Sequence, residues 1–309
     1  MSIPLDLFKL VATYLVKSKM KLLDWIDKDN LDWETLSYKP NAITLLEDNQ
    51  NMIDWDSLSG NPNAIYILNK NLDMIDWSEL SGNPSAIELL ETVALDPDMI
   101  NWDNLSTNHN AMHMLELVLQ QDPDKINWKE LSKNPKAIYM LETVALDQDK
   151  INWIFLSGNL NAIPLLEKNM DKINWRILSG NPNAVHLLEP VALDMDNPLA
   201  AIDWKILSLN PEAINLLKQN PENIFWEHLS ENPKAIHLIE LVLQQDPTKL
   251  DWESLSANSN AIHLIKQNPF KIHWTRLSTN PSIFEIDIER YKADIWGISR
   301  FIYNMVIDP

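Results

Sequence analysis

The sequence has no cysteine, so disulfides, zinc-thiolate sites and cysteine nucleophiles are excluded. Glycine is nearly as scarce, at five in 309 residues. A Rossmann sheet, a phosphate-binding loop and a β-propeller all need glycine in their turns, so that scarcity argues against each. Cations are few for the number of anions: 25 Lys and Arg stand against 44 Asp and Glu, for a net charge of −19. A surface this acidic repels phosphate backbones and anionic lipid, so neither nucleic acid nor membrane is expected as a partner. Apolar runs never reach the roughly eighteen residues needed to span a bilayer. Residues 1–20 lack the basic start, apolar run and small-residue cleavage site of a secretory signal. The expectation is a soluble intracellular chain.

Tryptophan, by contrast, is abundant at thirteen residues. Eleven of them open a W-x-x-L-S string: Trp33, Trp55, Trp77, Trp102, Trp128, Trp153, Trp175, Trp204, Trp226, Trp252 and Trp274. Successive tryptophans are 22, 22, 25, 26, 25, 22, 29, 22, 26 and 22 residues apart. The base unit is 22 residues, and the insertions of three, four or seven amount to about one or two helical turns. Two residues after each Ser comes Asn (Lys39 in the first copy), usually followed by Pro and an apolar block, as in Asn61-Pro62-Asn63-Ala64-Ile65-Tyr66-Ile67-Leu68.

Each unit therefore reads as two helices. Asp76 caps a short helix beginning at Trp77. Asn61-Pro62 starts a second, with Ala64, Ile65, Ile67 and Leu68 as its buried stripe and Asn71 as a left-handed C-terminal residue. A 22-residue unit cannot bury its own apolar face; stacking supplies the core. The expected fold is all-α: one continuous, elongated α-solenoid of about eleven two-helix repeats, without strands. At about 8–10 Å per layer it would span roughly 90–110 Å before curvature. Residues 1–30 are expected to form an N-terminal helical cap, with a helix over residues 4–16. Residues 31–280 hold the repeats, and 281–309 form an amphipathic closing helix.

The string L-S-x-N-P-x-A-I, with I-N-W or I-D-W before it, resembles the tandem repeat proteins of giant nucleocytoplasmic DNA viruses such as mimiviruses and marseilleviruses. The likeness covers about residues 22–284; Leu58 to Ile65 and Leu178 to Val185 match closely, while Lys39 and Ser259 depart from the pattern. The resemblance implies a repeat fold and a viral origin, in host cytoplasm or virion, but no reaction. The stretch Ile3 to Leu15 is also similar to the first helix of an F-box, which docks an adaptor of a ubiquitin ligase. Apolar Leu7, Leu10, Val11 and Tyr14 equally suit a cap lying on the first repeat.

Tryptophan at one register in every unit reads as packing between repeats rather than as a platform for bases or sugars. The eleven Ser residues are equivalent, so none is a singular nucleophile; they are expected to hydrogen-bond free carbonyls at the ends of short helices, and the Asn series to cap helices. His109 and His113 are four apart, but no H-E-x-x-H context accompanies them, and no metal or cofactor is expected. No asymmetric set of acid, base and nucleophile is present, so no catalytic residue is assigned.

Two equivalent positions vary from copy to copy. The residue after Ala-Ile is Tyr66, His113, Tyr139, His186, His237 or His263 in six copies, and Thr44, Glu88, Pro164 or Asn215 in others. Such a stripe suits a protein-binding surface, and drift at solvent positions produces the same variation. The residue after Leu-Ser also varies, but four of the five glycines fall there and turn geometry accounts for much of it. The leading expectation is a non-enzymatic scaffold that binds a host or viral protein. An F-box-like adaptor using residues 3–15 and a structural virion component are the alternatives. The acidity reads as a solvated surface, or as attraction to a basic partner.

Overall fold

The computed structural model describes residues 19–93, 99–144, 150–193, 202–290, 292–293 and 296. It is built from short helices in the expected order. Eleven α-helices begin at the eleven tryptophans, from Trp33–Tyr38 through Trp55–Ser59 to Trp274–Ser278. Ten of them are capped by the side chain of the residue before Trp, as when Asp54 accepts from the Ser57 amide at 2.9 Å. Only Phe225, before Trp226, supplies no cap.

The Asn-Pro-x-Ala segment is a 3-10 turn where its geometry is regular, as at Pro211–Ala213, and the second helix starts at the following Ile. In the 22-residue units this helix runs four to six residues, as in Ile65–Leu68 and Ile43–Asp48. In two units of 26 it runs ten, Met112–Gln121 and Ile236–Gln245. A four-residue insertion has thus added one helical turn. The other insertions fall largely outside the described residues.

Helices this short are unstable alone, so their neighbours must hold them. The Leu of each Leu-Ser pair is wholly buried, as is the Ala of each Asn-Pro-x-Ala turn, and a Leu or Ile of the second helix joins them. Each such Leu contributes about 1.5–3 kcal/mol relative to exposure. Trp-bearing helices of successive repeats lie side by side, whereas second helices mainly contact their own repeat. The Trp helices therefore form the tighter, inner wall, and the second helices form the outer wall, where repeats splay and insertions fit.

A buried polar ladder ties repeat to repeat. In all eleven copies the Ser hydroxyl donates to the carbonyl of the Trp four residues earlier, at 2.7–2.9 Å. The same oxygen accepts the backbone amide of the capping position in the next repeat, as from Asp54 to Ser37 at 3.0 Å. The Asn that follows reaches backward: Asn61 donates to the carbonyls of Ser37 and Lys39, both at 2.9 Å, while its oxygen accepts the Asn63 amide at 3.0 Å. The expected capping by Ser and Asn is present, but each residue also bridges two repeats.

The ladder does not stop at the eleventh repeat. Ser278 accepts the backbone amide of Asp32, in the first repeat, at 2.8 Å, the same bond that joins every other neighbouring pair. The helices Trp33–Tyr38 and Trp274–Ser278 are in contact. Strand β1 (Met20–Leu22) pairs antiparallel with β2 (Phe284–Ile286), with Lys21 opposite Glu285. Further bonds run from the Leu23 amide to the Ile283 carbonyl at 2.9 Å and from the Asp287 amide to the Lys19 carbonyl at 2.8 Å. Arg290 meets Asp48 at 2.8 Å, and that carboxylate raises the pKa of the Arg290 guanidinium.

The array is therefore a closed ring, and the expectation of an elongated solenoid is corrected. Repeat-to-repeat geometry rotates steadily in one sense until the last Ser meets the first capping residue. At about 8–10 Å between neighbouring helices, such a ring measures roughly 30 Å across at the inner helix axes. The expectation of no strands fails at the same place. A repeat array whose two ends meet can satisfy their exposed backbone groups in a ribbon, so Phe284–Ile286 is a strand within the span read as a closing helix. The helix expected over residues 4–16 lies outside the described residues.

Two local readings also need correction. Asn71 is not left-handed: its φ is −137°, and its side chain instead caps the Ile67 carbonyl at 2.9 Å. No glycine among the described residues has a positive φ, so turn conformation does not explain the glycines after Leu-Ser. Close approach does at two of them: a Cβ on Gly60 would lie 2.7 Å from the Tyr38 ring, and one on Gly180 would lie 2.9 Å from Ile206.

Candidate functional site

The structure sorts the varying positions into an outer stripe and an inner wall. The outer stripe lies at the start of the second helices. His113, Tyr139, His186, His237 and His263 are exposed, Tyr66 is half-buried, and Thr44 is buried in the repeat whose second helix meets the end ribbon. Most of these side chains are engaged. Each tends to face the Glu that ends the apolar block of the preceding repeat. His113 meets Glu91 at 2.8 Å, His186 meets Glu167 at 3.2 Å, and His263 meets Glu240 at 3.0 Å.

Tyr139 donates its hydroxyl to Glu116. Desolvation, reinforced by that carboxylate, pushes the phenol up to about 12. His237 follows a repeat that ends in Lys218 rather than Glu, and it turns to Glu240 on its own helix at 3.7 Å. The stripe is thus a polar ladder on the outer wall that brings its members together only as neighbours. His109 sits four residues from His113, and no group of three or more His, Asp or Glu among the described residues is placed to hold a metal ion.

The eleven repeat tryptophans are half-buried rather than fully enclosed. They pack against the core, and in four repeats a Lys three residues before the next Trp lies over the ring. Lys125 is 5.0 Å from the Trp102 centroid, Lys150 5.0 Å from Trp128, Lys249 5.7 Å from Trp226 and Lys271 4.4 Å from Trp252. Those faces are covered by the protein's own cations and are not open stacking platforms.

The inner wall carries a second varying series. It is lined by three positions of each Trp helix: the two residues after Trp and the residue after Leu-Ser. Along the first four repeats the second residue after Trp (Glu79, Asn104), the residue after Leu-Ser and the neighbouring prolines border a shallow groove of about 450 Å³ between Tyr38 and Thr107. The residue directly after Trp is the informative one. Starting from repeat nine and crossing the seam, it reads Glu227, Glu253, Thr275, Glu34, Asp56, Ser78 and Asp103, then Lys129, Ile154, Arg176 and Lys205. This series could have been found by aligning the eleven copies, just as the outer stripe was.

No family model, curated protein or solved structure matches the chain. The functional reading therefore rests on the geometry of the ring. Among the described residues no helix is long and apolar enough to cross a membrane.

Proposed function

We propose that the chain is a non-enzymatic, ring-shaped scaffold that binds another protein, and that it is of giant-virus origin, as the repeated L-S-x-N-P-x-A-I string suggests. The observation that carries the binding reading is a division of labour between positions. The Ser and Leu of every repeat, and the Asn of every repeat after the first, are buried, and the Ser and Asn are bonded to neighbouring repeats. The positions left facing solvent differ from copy to copy. A framework repeated eleven times with a different exterior each time suits distributed contact with a large partner. Catalysis needs one asymmetric constellation of groups, and the conserved chemistry of this chain is shared equally around the ring.

Capture experiments with three full-length baits test the reading: the parent ring, a variant with Tyr66, His113, Tyr139, His186, His237 and His263 all replaced by Ala, and a variant altered on the inner wall. A protein held by the parent and lost from one variant of unchanged helicity locates the binding surface. A ring that enriches no protein beyond an equally acidic control refutes the scaffold reading.

A further inference from the structure

The charges on the inner wall are segregated rather than scattered. Seven consecutive repeats, counted through the seam, present Glu, Asp, Ser or Thr directly after Trp; the four remaining repeats present Lys129, Ile154, Arg176 and Lys205. The two neighbouring positions add apolar side chains to the second arc, with Glu130 within it and Arg276 in the opposite arc as the exceptions in charge. Phe155, Ile177 and Ile206 follow in three of its repeats, where the opposite arc has Thr35, Ser57 and Asn104. Lys133 completes the cationic edge, with its ammonium 4.2 Å and that of Lys129 5.2 Å from the Phe155 centroid.

This arc and the adjoining edge of repeat nine concentrate exposed aliphatic and phenyl surface, where the opposite arc has the Tyr38 ring, 53% exposed. Ile154 is 50% exposed, Leu209 36% and Phe225 39%. Phe225 is the informative residue. It occupies the capping position that Asp, Asn or His fills in the other ten repeats, and it leaves its helix without a side-chain cap. Its ring instead lies out on the wall, 5.4 Å from the Lys205 ammonium and edge-on to His228. Phe225 thus gives up the helix cap and leaves its ring 39% exposed beside Lys205. Two of the four cations are engaged within the protein: Arg176 with Asp203 at 3.0 Å and Lys133 with Glu130 at 2.6 Å. Lys129 and Lys205 have no carboxylate partner among the described residues.

We infer that the inner wall of repeats five to eight together with the adjoining edge of repeat nine, centred on Ile154, Phe155, Leu209 and Phe225 and edged by Lys129 and Lys205, docks an anionic peptide segment of a partner protein that carries bulky apolar side chains. Apolar anchors fill the space between the Ile and Phe side chains, and the acids meet the lysines and are repelled by the opposite arc if they stray. A polyanionic duplex fits poorly, because Glu34, Asp56, Asp103, Glu227 and Glu253 face the same interior. A second ring is also a poor occupant, since two concave walls of equal curvature cannot meet. The inference rests on the protein-binding reading above and narrows it to one surface and one chemistry.

The test uses the full chain and fluorescence anisotropy with three labelled peptides of about ten residues, long enough to cross four repeats when extended. In the first, Asp and Glu alternate with Leu and Phe; in the second, Lys replaces the acids; in the third, Ser replaces the apolar residues. The first is expected to bind at least about tenfold more tightly than either of the others, and to weaken as salt is raised.

Phe225→Asp is expected to weaken that binding about tenfold or more while melting no lower than the parent, because Asp restores the missing cap. The pair K129E and K205E is expected to weaken it similarly, and the opposite-arc pair E34Q and E253Q to leave it undiminished. Equal binding by parent and Phe225→Asp, preference for the basic peptide, or no binding of any peptide overturns the inference. So does self-association of rings that the same substitutions dissolve. If the peptides fail while the inner-wall variant still captures a protein, this surface is wrong and the scaffold reading survives.

Discussion

Replacing Asn108 by Ala tests the buried ladder. The Asn108 side chain is about 1% exposed and sits in the fourth repeat, away from the seam. It donates to the carbonyls of Ser81 at 3.0 Å and Asn83 at 2.9 Å, and its oxygen accepts the Asn110 amide at 3.0 Å. Alanine removes all three bonds. The buried Ser81 carbonyl is orphaned, at about 1–3 kcal/mol; the Asn83 carbonyl loses one bond, worth about 1 kcal/mol, but keeps the Ala86 amide at 3.1 Å, and the Asn110 amide lies nearer solvent and recovers water. The expected loss is about 3 kcal/mol.

The matched control is Asn110→Ala, which removes one exposed bond to the Pro84 carbonyl at 2.9 Å and should cost less than about 1 kcal/mol. Urea unfolding followed by far-ultraviolet circular dichroism and by tryptophan fluorescence measures both, and the two probes together check that the transition is cooperative. If Asn108→Ala lies within about 0.5 kcal/mol of Asn110→Ala, the ladder is not what holds the repeats together.

Other expectations follow from the same geometry. Lys39 replaces the bridging Asn at the seam and supplies no side-chain cap, so Lys39→Asn should add the missing bonds and raise stability by about 1 kcal/mol, read as a higher melting temperature. Ser278→Ala removes the acceptor for the Asp32 amide across the seam and should destabilise by about 1–3 kcal/mol, comparably to Ser106→Ala within the array. Equal stability of Ser278→Ala and the parent would argue against closure. The Tyr139 phenol, held neutral up to about 12, makes a contribution to stability that is full below the ordinary tyrosine range near pH 10 and is lost as pH rises from there toward 12. In alkaline ultraviolet titration, Tyr139→Phe should remove a phenol that ionises near pH 12.

Much of the repeat was legible in the residues. Trp, Leu-Ser and Asn-Pro-x-Ala fall at fixed spacing, and local rules for caps and helical periodicity convert that spacing into two helices per unit. The partners of the ladder were not legible. Ser37 bonds an amide 17 residues away, and Asn210 reaches a carbonyl 31 residues back, so either bond is visible only once the stacking is known. Closure was hidden for a related reason. Eleven equal steps close a circle when each turns by about 33°, and that angle depends on how much closer the Trp helices pack than the second helices. No single residue encodes it. The strand Phe284–Ile286 follows from closure rather than from local propensity, since its partner Met20–Leu22 is adjacent only in a ring.

The candidate surfaces divide similarly. Exposure of His113, Tyr139, His186, His237 and His263 was readable from variation at one register, but their pairing with the preceding Glu required the structure. The Lys129, Ile154, Arg176 and Lys205 run was present in the letters. It gains meaning only when the first helices are known to line the inner wall, so that four successive repeats become one surface.

Closure is the claim on which the rest depends, and the absence of cysteine makes it simple to test. Lys21→Cys and Glu285→Cys place the only two thiols of the protein opposite each other in the ribbon of β1 and β2. On mild oxidation of dilute protein the ring predicts a rapid intramolecular disulfide, seen as an intact mass lower by two hydrogens and as a faster-migrating monomer without reductant. A chain that forms only intermolecular dimers, or stays reduced while fully folded, would mean that the two ends lie apart and the ring is open.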